Sequence, residues 1–308
     1  MHIPDGFLRT EVWAAFDLIS IPTVGYLSHR VKRTGGDLRI PLLGVMGAFV
    51  FAAQMINFPV GLGTTGHLLG STLLAVTVGP VPAALVLAVI LGIQALVFQD
   101  GGLLAWGANA FNMALCGVAA GYLPYFLFGK GRLRTLAIFL GGILSVMVGG
   151  TLALLMLKAS DSPLTPAIFK VSMSLFFVMG LLEGAITVAV VKAIERLNAA
   201  FVQSPSHNLS SIKKLVMAAA LALAIVGVLF ASASPDVLEK AAQAMGIAVR
   251  PSGFFTPLAD YEFSEFSNIY LRRATAGLIG IGLVYAACLV LARGIRRREE
   301  RLVAPHRN

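Results

Sequence analysis

Two histidines are the residues best placed to do chemistry. His2 follows the first residue directly, and His67 sits in the apolar, glycine-rich run Gly66-His67-Leu68-Leu69-Gly70. A chain that opens Met1-His2 offers three nitrogens to one metal ion: the α-amine, the amide of residue 2 once it loses its proton, and the imidazole. These close a five- and a six-membered chelate ring in one plane. A fourth nitrogen completes a square, and an all-nitrogen square suits Ni(II) or Cu(II). His67 is the candidate for that fourth ligand. Low-spin Ni(II) prefers such a plane, and Co(II) can be held by the same nitrogens.

The loop Asn57-Phe-Pro-Val-Gly-Leu-Gly-Thr-Thr-Gly-His67 carries glycines at 61, 63 and 66. They allow close backbone approach, so that the N-terminal strand could lie beside His67, or they simply serve a tight turn. Asp5, Asn57, Thr64 and Thr65 are the candidates to orient the histidines by hydrogen bonds, with local turn or cap roles as the alternative. His29, His207 and His306 fall in a basic loop, a linker and the tail, and read as solvated. Asn109 and Asn112, after the turn Gln99-Asp100-Gly101-Gly102, read as amides that glue helices together. Asp17 and Glu183 are carboxylates inside apolar segments, which are functional suspects by default. Neither belongs to a visible relay, so both read as packing contacts.

Composition places this chemistry in a bilayer. Of 308 residues, 57% are hydrophobic and 13% charged, against about 25% charged in a soluble domain. Nine apolar segments are expected, near 11–28, 40–57, 67–79, 82–98, 104–128, 134–157, 168–192, 212–231 and 271–293. The third is short, and Gly79-Pro80-Val81-Pro82 breaks it from the fourth. It is either a tilted half-helix or a segment shielded by its neighbours. The opening residues lack the basic start of a cleavable signal, and bulky His2 favours retention of Met1.

With all nine crossing, Arg30, Lys32, Arg33 and Arg39, then Lys130, Arg132 and Arg134, then Lys192, Arg196, Lys213 and Lys214, and the arginine-rich tail all share one side. The positive-inside rule makes that side cytoplasmic and puts the N-terminus outside. This distribution also explains the net charge of +9 without nucleic acid. The expectation is an all-α integral membrane protein in two units. Residues 1–197 form a seven-helix core, 198–211 a cytoplasmic linker, and 212–308 a two-helix module around an outer loop, 232–270. Cys116 and Cys288 read as apolar core residues. No phosphate-binding loop and no nucleophile–base pair occurs, so the chain is expected to be no enzyme and no ATPase.

Met1-His-Ile-Pro-Asp-Gly-Phe7, Asn57-Phe-Pro-Val and Gly63-Thr-Thr-Gly-His-Leu-Leu-Gly70 closely resemble the CbiM/NikM family. These are the substrate-binding (S) membrane components of energy-coupling-factor nickel and cobalt importers, and the resemblance covers residues 1 to about 197. It implies a seven-helix fold with the N-terminus plugged into the core. It also implies a metal held by Met1, His2 and His67, in agreement with the chelate argument. The C-terminal unit resembles the PDGLE-type partner component (CbiN/NikN-like), with Pro235-Asp236-Val237-Leu238-Glu239 carrying valine where that pattern has glycine. The resemblance further implies a transmembrane coupling protein, a pair of cytoplasmic ATPases, residence in the cytoplasmic (inner) membrane and supply of metal for cobalamin biosynthesis. The competing reading is a proton-coupled secondary carrier of divalent metal acting alone.

Overall fold

The computed structural model describes residues 1–33, 40–197, 209–229, 234–247, 256, 258–263 and 265–303. Arg39, the linker residues 198–208 with His207, and Arg250, His306 and Arg307 lie outside the described residues. The order is α1 (Thr10–Arg33), α2 (Ile40–Gln54), a hairpin of β1 (Phe58–Gly61) and β2 (Thr64–Gly66), α3 (Ser71–Val78), α4 (Pro80–Phe98), α5 (Trp106–Phe128), α6 (Arg134–Ala159), α7 (Pro166–Leu197), α8 (Leu209–Val226), α9 (Val237–Ala244) and α10 (Ile269–Val303).

The chain is a mostly helical membrane protein. Among the described residues five helical stretches are long and apolar enough to cross a bilayer: Pro80–Phe98, Trp106–Phe128, Arg134–Ala159, Pro166–Arg196 and Ile269–Gly294. A helix rises 1.5 Å per residue, so the eight residues of α3 span only about 12 Å. Ser71 through Thr77 are all buried, which makes α3 the shielded segment of the two expected alternatives. Gly79, at φ 93°, breaks the helix before Pro80, a backbone state that favours glycine.

Small residues let the helices approach closely. A Cβ on Gly142 of α6 would stand 2.5 Å from the Gly184 Cα of α7. On α10, Gly277 faces Met55 and Ala224 while Gly280 faces Phe51 and Phe98, so these small residues seat α10 within this chain. Gly44 of α2 lies under the Tyr285 ring, where a Cβ would be 2.8 Å from Cδ2.

The connections gather several segments at one end of the helices. They are the N-terminal residues, the hairpin, the α4–α5 turn, the α6–α7 turn, α9 with the residues just before it, Thr256 and residues 258–263. There Arg9 pairs with Asp161 and Thr256 donates to the Val97 carbonyl.

Candidate metal centre

Residues 1–8 run into the bundle, with Met1, Ile3 and Phe7 buried. Three anchors explain why so short a segment is held without secondary structure. The Ile3 N–H donates to Asn109 Oδ1 at 2.8 Å, and Asn109 Nδ2 donates back to the Ile3 carbonyl at 3.0 Å. The Gly102 N–H donates to the same carbonyl at 2.8 Å. Asp5 accepts from Leu103, Leu104 and Ala105 N–H at 3.0, 2.9 and 3.3 Å. Gly102 permits this approach, since a Cβ there would lie 2.6 Å from the Asp5 nitrogen. The close approach of the N-terminal strand is thus made by the α4–α5 turn. Gly61 and Gly63, at φ 120° and 69°, serve the hairpin turn instead.

These anchors place the first two residues against His67. The Met1 amine nitrogen is 3.1 Å from His67 Nε2. With metal–nitrogen bonds of about 2 Å, two ligands at right angles stand about 2.8 Å apart, so the pair is near liganding separation. His67 Nδ1–H donates to the Leu68 carbonyl at 3.1 Å, which leaves the Nε2 lone pair facing the amine. The rings of His2 and His67 stack at 5.0 Å and 17°, and both residues are 5% exposed. His2 Nδ1 meets Asp100 Oδ1 at 2.7 Å. Its Nε2 is buried without a partner among the described residues. Among those residues no three His, Cys, Asp or Glu side chains are arranged to hold a metal ion by themselves; the nitrogens that stand near liganding separation include the terminal amine.

Carboxylates surround the donors. Asp236, from the C-terminal unit, pairs with the Met1 amine. Burial works against its charge, but the terminal ammonium, that hydrogen bond and the Glu239 N–H together hold it below the usual carboxylate range. Asp100 is likewise held low: burial opposes it, and His2, His67 and the Tyr261 hydroxyl outweigh burial. Burial, then Asp100, pushes the Tyr261 phenol well above its ordinary value, so it stays a donor. His67, in the loop ahead of α3, is lowered to about 3 by burial first and by the neighbouring ammonium and His2 next. It is therefore neutral at physiological pH and free to bind metal.

Of the orienting candidates, none reaches a histidine directly. Asp5 holds the α4–α5 turn. Thr64 Oγ1 donates to the Gly61 carbonyl within the hairpin. Thr65 Oγ1 and N–H donate to the Ser234 and Pro235 carbonyls, both at 2.9 Å. Asn57 makes no side-chain hydrogen bond among the described residues. The work falls to residues that read from the sequence as glue, turn or packing. Asn109 binds the Ile3 backbone, and Asp100 binds His2. Glu183 accepts from the Leu69 and Gly70 N–H groups at 2.7 and 2.9 Å, which fixes the loop behind His67. A chain of amides links the two sides: Gln54 Nε2 donates to the Leu69 carbonyl, and Gln94 Nε2 donates to Gln54 Oε1 and to the Tyr261 hydroxyl. Tyr261 in turn donates to Asp100.

The family model for the cobalt uptake substrate-specific transmembrane region, CbiM, matches residues 2–201. The chain belongs to the CbiM family. Its C-terminal part matches the PDGLE domain over residues 212–297, so the CbiM region is fused to a second module. Similar proteins share that fusion. A provisionally named fused nickel transport protein, NikMN, of Archaeoglobus fulgidus is 33% identical over 305 residues, covering 96% of this chain and 99% of its own. The fused nickel transport protein NikMN of Rhodobacter capsulatus is 27% identical over 341 residues, covering 96% and 98%. The crystal structure of a truncated transition metal transporter superposes at TM-score 0.57 with 31% identity, over 64% of this chain and 99% of that one. The CbiM region so matched carries Met1's neighbours, His2 and His67, while the PDGLE region carries Asp236 and Tyr261.

Proposed function

We propose that this chain captures Ni(II) or Co(II) as the substrate-specific subunit of an ATP-driven energy-coupling-factor importer and carries the ion across the cytoplasmic membrane. The observation that carries the reading is the Met1 nitrogen, 3.1 Å from a His67 Nε2 whose lone pair faces it, beside a buried His2 ring. The ligands are the Met1 amine, the His2 amide and imidazole, and His67 Nε2. Closing the six-membered chelate needs His2 Nδ1, which faces Asp100. A half-turn of the ring about Cβ–Cγ brings Nδ1 to the ion. The positive-inside placement of the basic loops, with the N-terminus outside, puts this end of the bundle at the outer face, where the ion arrives. A transmembrane coupling protein and a cytoplasmic ATPase pair supply the energy.

A secondary carrier needs carboxylates free to relay protons. Glu183 is engaged by two backbone N–H groups and Asp17 by the Gly107 N–H at 2.7 Å, which argues against that reading. The test is nickel or cobalt content and visible absorption of the purified chain, compared with His2→Ala, His67→Ala and a form extended by one N-terminal residue. One ion with a planar-nitrogen spectrum, lost in all three, supports the site. Full binding by the extended form removes the amine as a ligand. Uptake by vesicles holding this chain alone, without ATP, establishes the secondary carrier instead.

A further inference from the structure

The CbiM region supplies every ligand proposed above, yet its terminal amine is held by a residue of the other module. Asp236 divides its two oxygens between two tasks. Oδ1 accepts the Glu239 N–H at 2.8 Å, and Glu239 Oε2 accepts the Asp236 N–H at 2.9 Å, a reciprocal cap that starts α9. Oδ2 faces the Met1 amine. The residue is carried there by β2: Thr65 pairs with Asp236 in a parallel bridge, and its N–H and hydroxyl bond the Pro235 and Ser234 carbonyls. Thr65 lies two residues before His67, so one short stretch of backbone fixes both the imidazole ligand and the carboxylate on the amine.

We infer that Asp236 is a positioning residue of the metal centre, and that the CbiM region's site is complete only when the C-terminal module supplies it. The inference rests on the Met1 nitrogen being a ligand. An amine bound to a metal through its lone pair still carries two N–H bonds, and one of them can keep donating to Asp236 Oδ2. The carboxylate then holds the terminal nitrogen beside His67 Nε2 in both the free and the loaded chain. The anchors at Ile3 and Asp5 act on the backbone that follows His2, so among the described residues nothing else but His67 orients the amine. Outer-shell partners of this kind are worth about 10- to 100-fold in metal affinity.

The experiment uses the full chain and Ni(II) alone, with affinity read by chelator competition and geometry by the planar-nitrogen absorption. Asp236→Asn is the informative variant, because asparagine caps helices as well as aspartate does. Its Oδ1 keeps the Glu239 N–H, while its amide nitrogen turns a donor toward a donor. Expected is a loss of affinity of about 10- to 100-fold, with one ion still bound and metal-free thermal stability retained. Glu239→Ala breaks the reciprocal cap but leaves the carboxylate on the amine, and is expected to lower thermal stability with affinity near that of the natural chain. Wild-type affinity in Asp236→Asn overturns the inference. So does an equal loss of affinity in Glu239→Ala, which would trace the effect to the fold of α9. His67→Ala is measured alongside: unchanged binding there refutes the site itself, whereas loss there with no effect at Asp236 refutes only the role of the module.

Discussion

His2 presents Nδ1 to Asp100 at 2.7 Å and so turns away from His67 the one ring nitrogen able to close a chelate with its own amide. Holding an ion by the amide and Nδ1 of residue 2 therefore calls for a turn of this ring. Asp100 in turn receives the Tyr261 hydroxyl, so the resting orientation of His2 is set by both modules.

Asp100→Ala leaves His2 Nδ1 and the Tyr261 hydroxyl without their buried partner. A buried polar group left unpaired costs about 1–3 kcal/mol, and the metal-free chain should lose stability of that order in detergent. The nickel-loaded chain should lose less, because the ion then holds Nδ1. Thermal unfolding of both forms, with and without saturating Ni(II), reads the difference. Equal losses would mean that the His2 ring does not turn.

His67 titrates at about 3, against 6.5 for a free imidazole. The unfolded chain thus binds more protons between those values, and stability contributed by burying the neutral ring is lost as pH falls below about 6.5. Unfolding midpoints should drop between pH 7 and pH 5, and His67→Gln should flatten that slope. Over the same range His67 is already neutral in the folded chain and contributes no proton on binding nickel. The protons released on binding come from the backbone ligands rather than from His67. Calorimetry in buffers of different ionisation enthalpy counts them.

Glu183→Ala removes the acceptor of two buried N–H groups, at Leu69 and Gly70. The loop carrying His67 loses its support, and about 2 kcal/mol or more of stability should go with it. Glu183→Gln keeps one acceptor and should retain more of both stability and nickel affinity. Identical behaviour of the two variants would mean that neither N–H bond matters to the site.

Gly102→Ala touches no ligand, yet its Cβ would lie 2.6 Å from the Asp5 nitrogen. The N-terminal segment must shift to admit it. Nickel affinity should fall at least tenfold, since outer supports of a metal site act on that scale, while Gly25→Ala, with nothing within 4 Å, should leave affinity unchanged. Competition titration of the two variants decides.

The fold's material was legible in the sequence because a bilayer imposes a coarse rule. Long apolar runs became helices, and the short third run, cut by Gly79-Pro80, became the buried α3. His2 and His67 stood out by chemical type alone. What was not legible was which polar groups would meet them. Asn109 sits on an apolar helix and has the same local signature as any packing amide. Its bond to Ile3 depends on a backbone that enters from more than a hundred positions away. Asp236 was visible as part of the PDGLE-like run, and Thr65 as a candidate to orient the histidines or to serve a turn. Nothing in local pattern says that a parallel bridge joins them. Glu183 was weighed as a helix contact because it belonged to no visible relay, and here its partners are backbone N–H groups.

The Thr65–Asp236 bridge joins the module to the metal centre, and coupling between two binding events is reciprocal. If the carboxylate tightens the grip on nickel by some factor, nickel must tighten the grip of the module by that same factor. In a system where the two modules are separate polypeptides, the ion would therefore act as an adhesive between them. Fusion into one chain makes the encounter intramolecular, with a high effective concentration. An empty site and a filled one would then differ in how firmly the C-terminal module is seated, and a partner protein touching only that module could sense whether cargo is aboard.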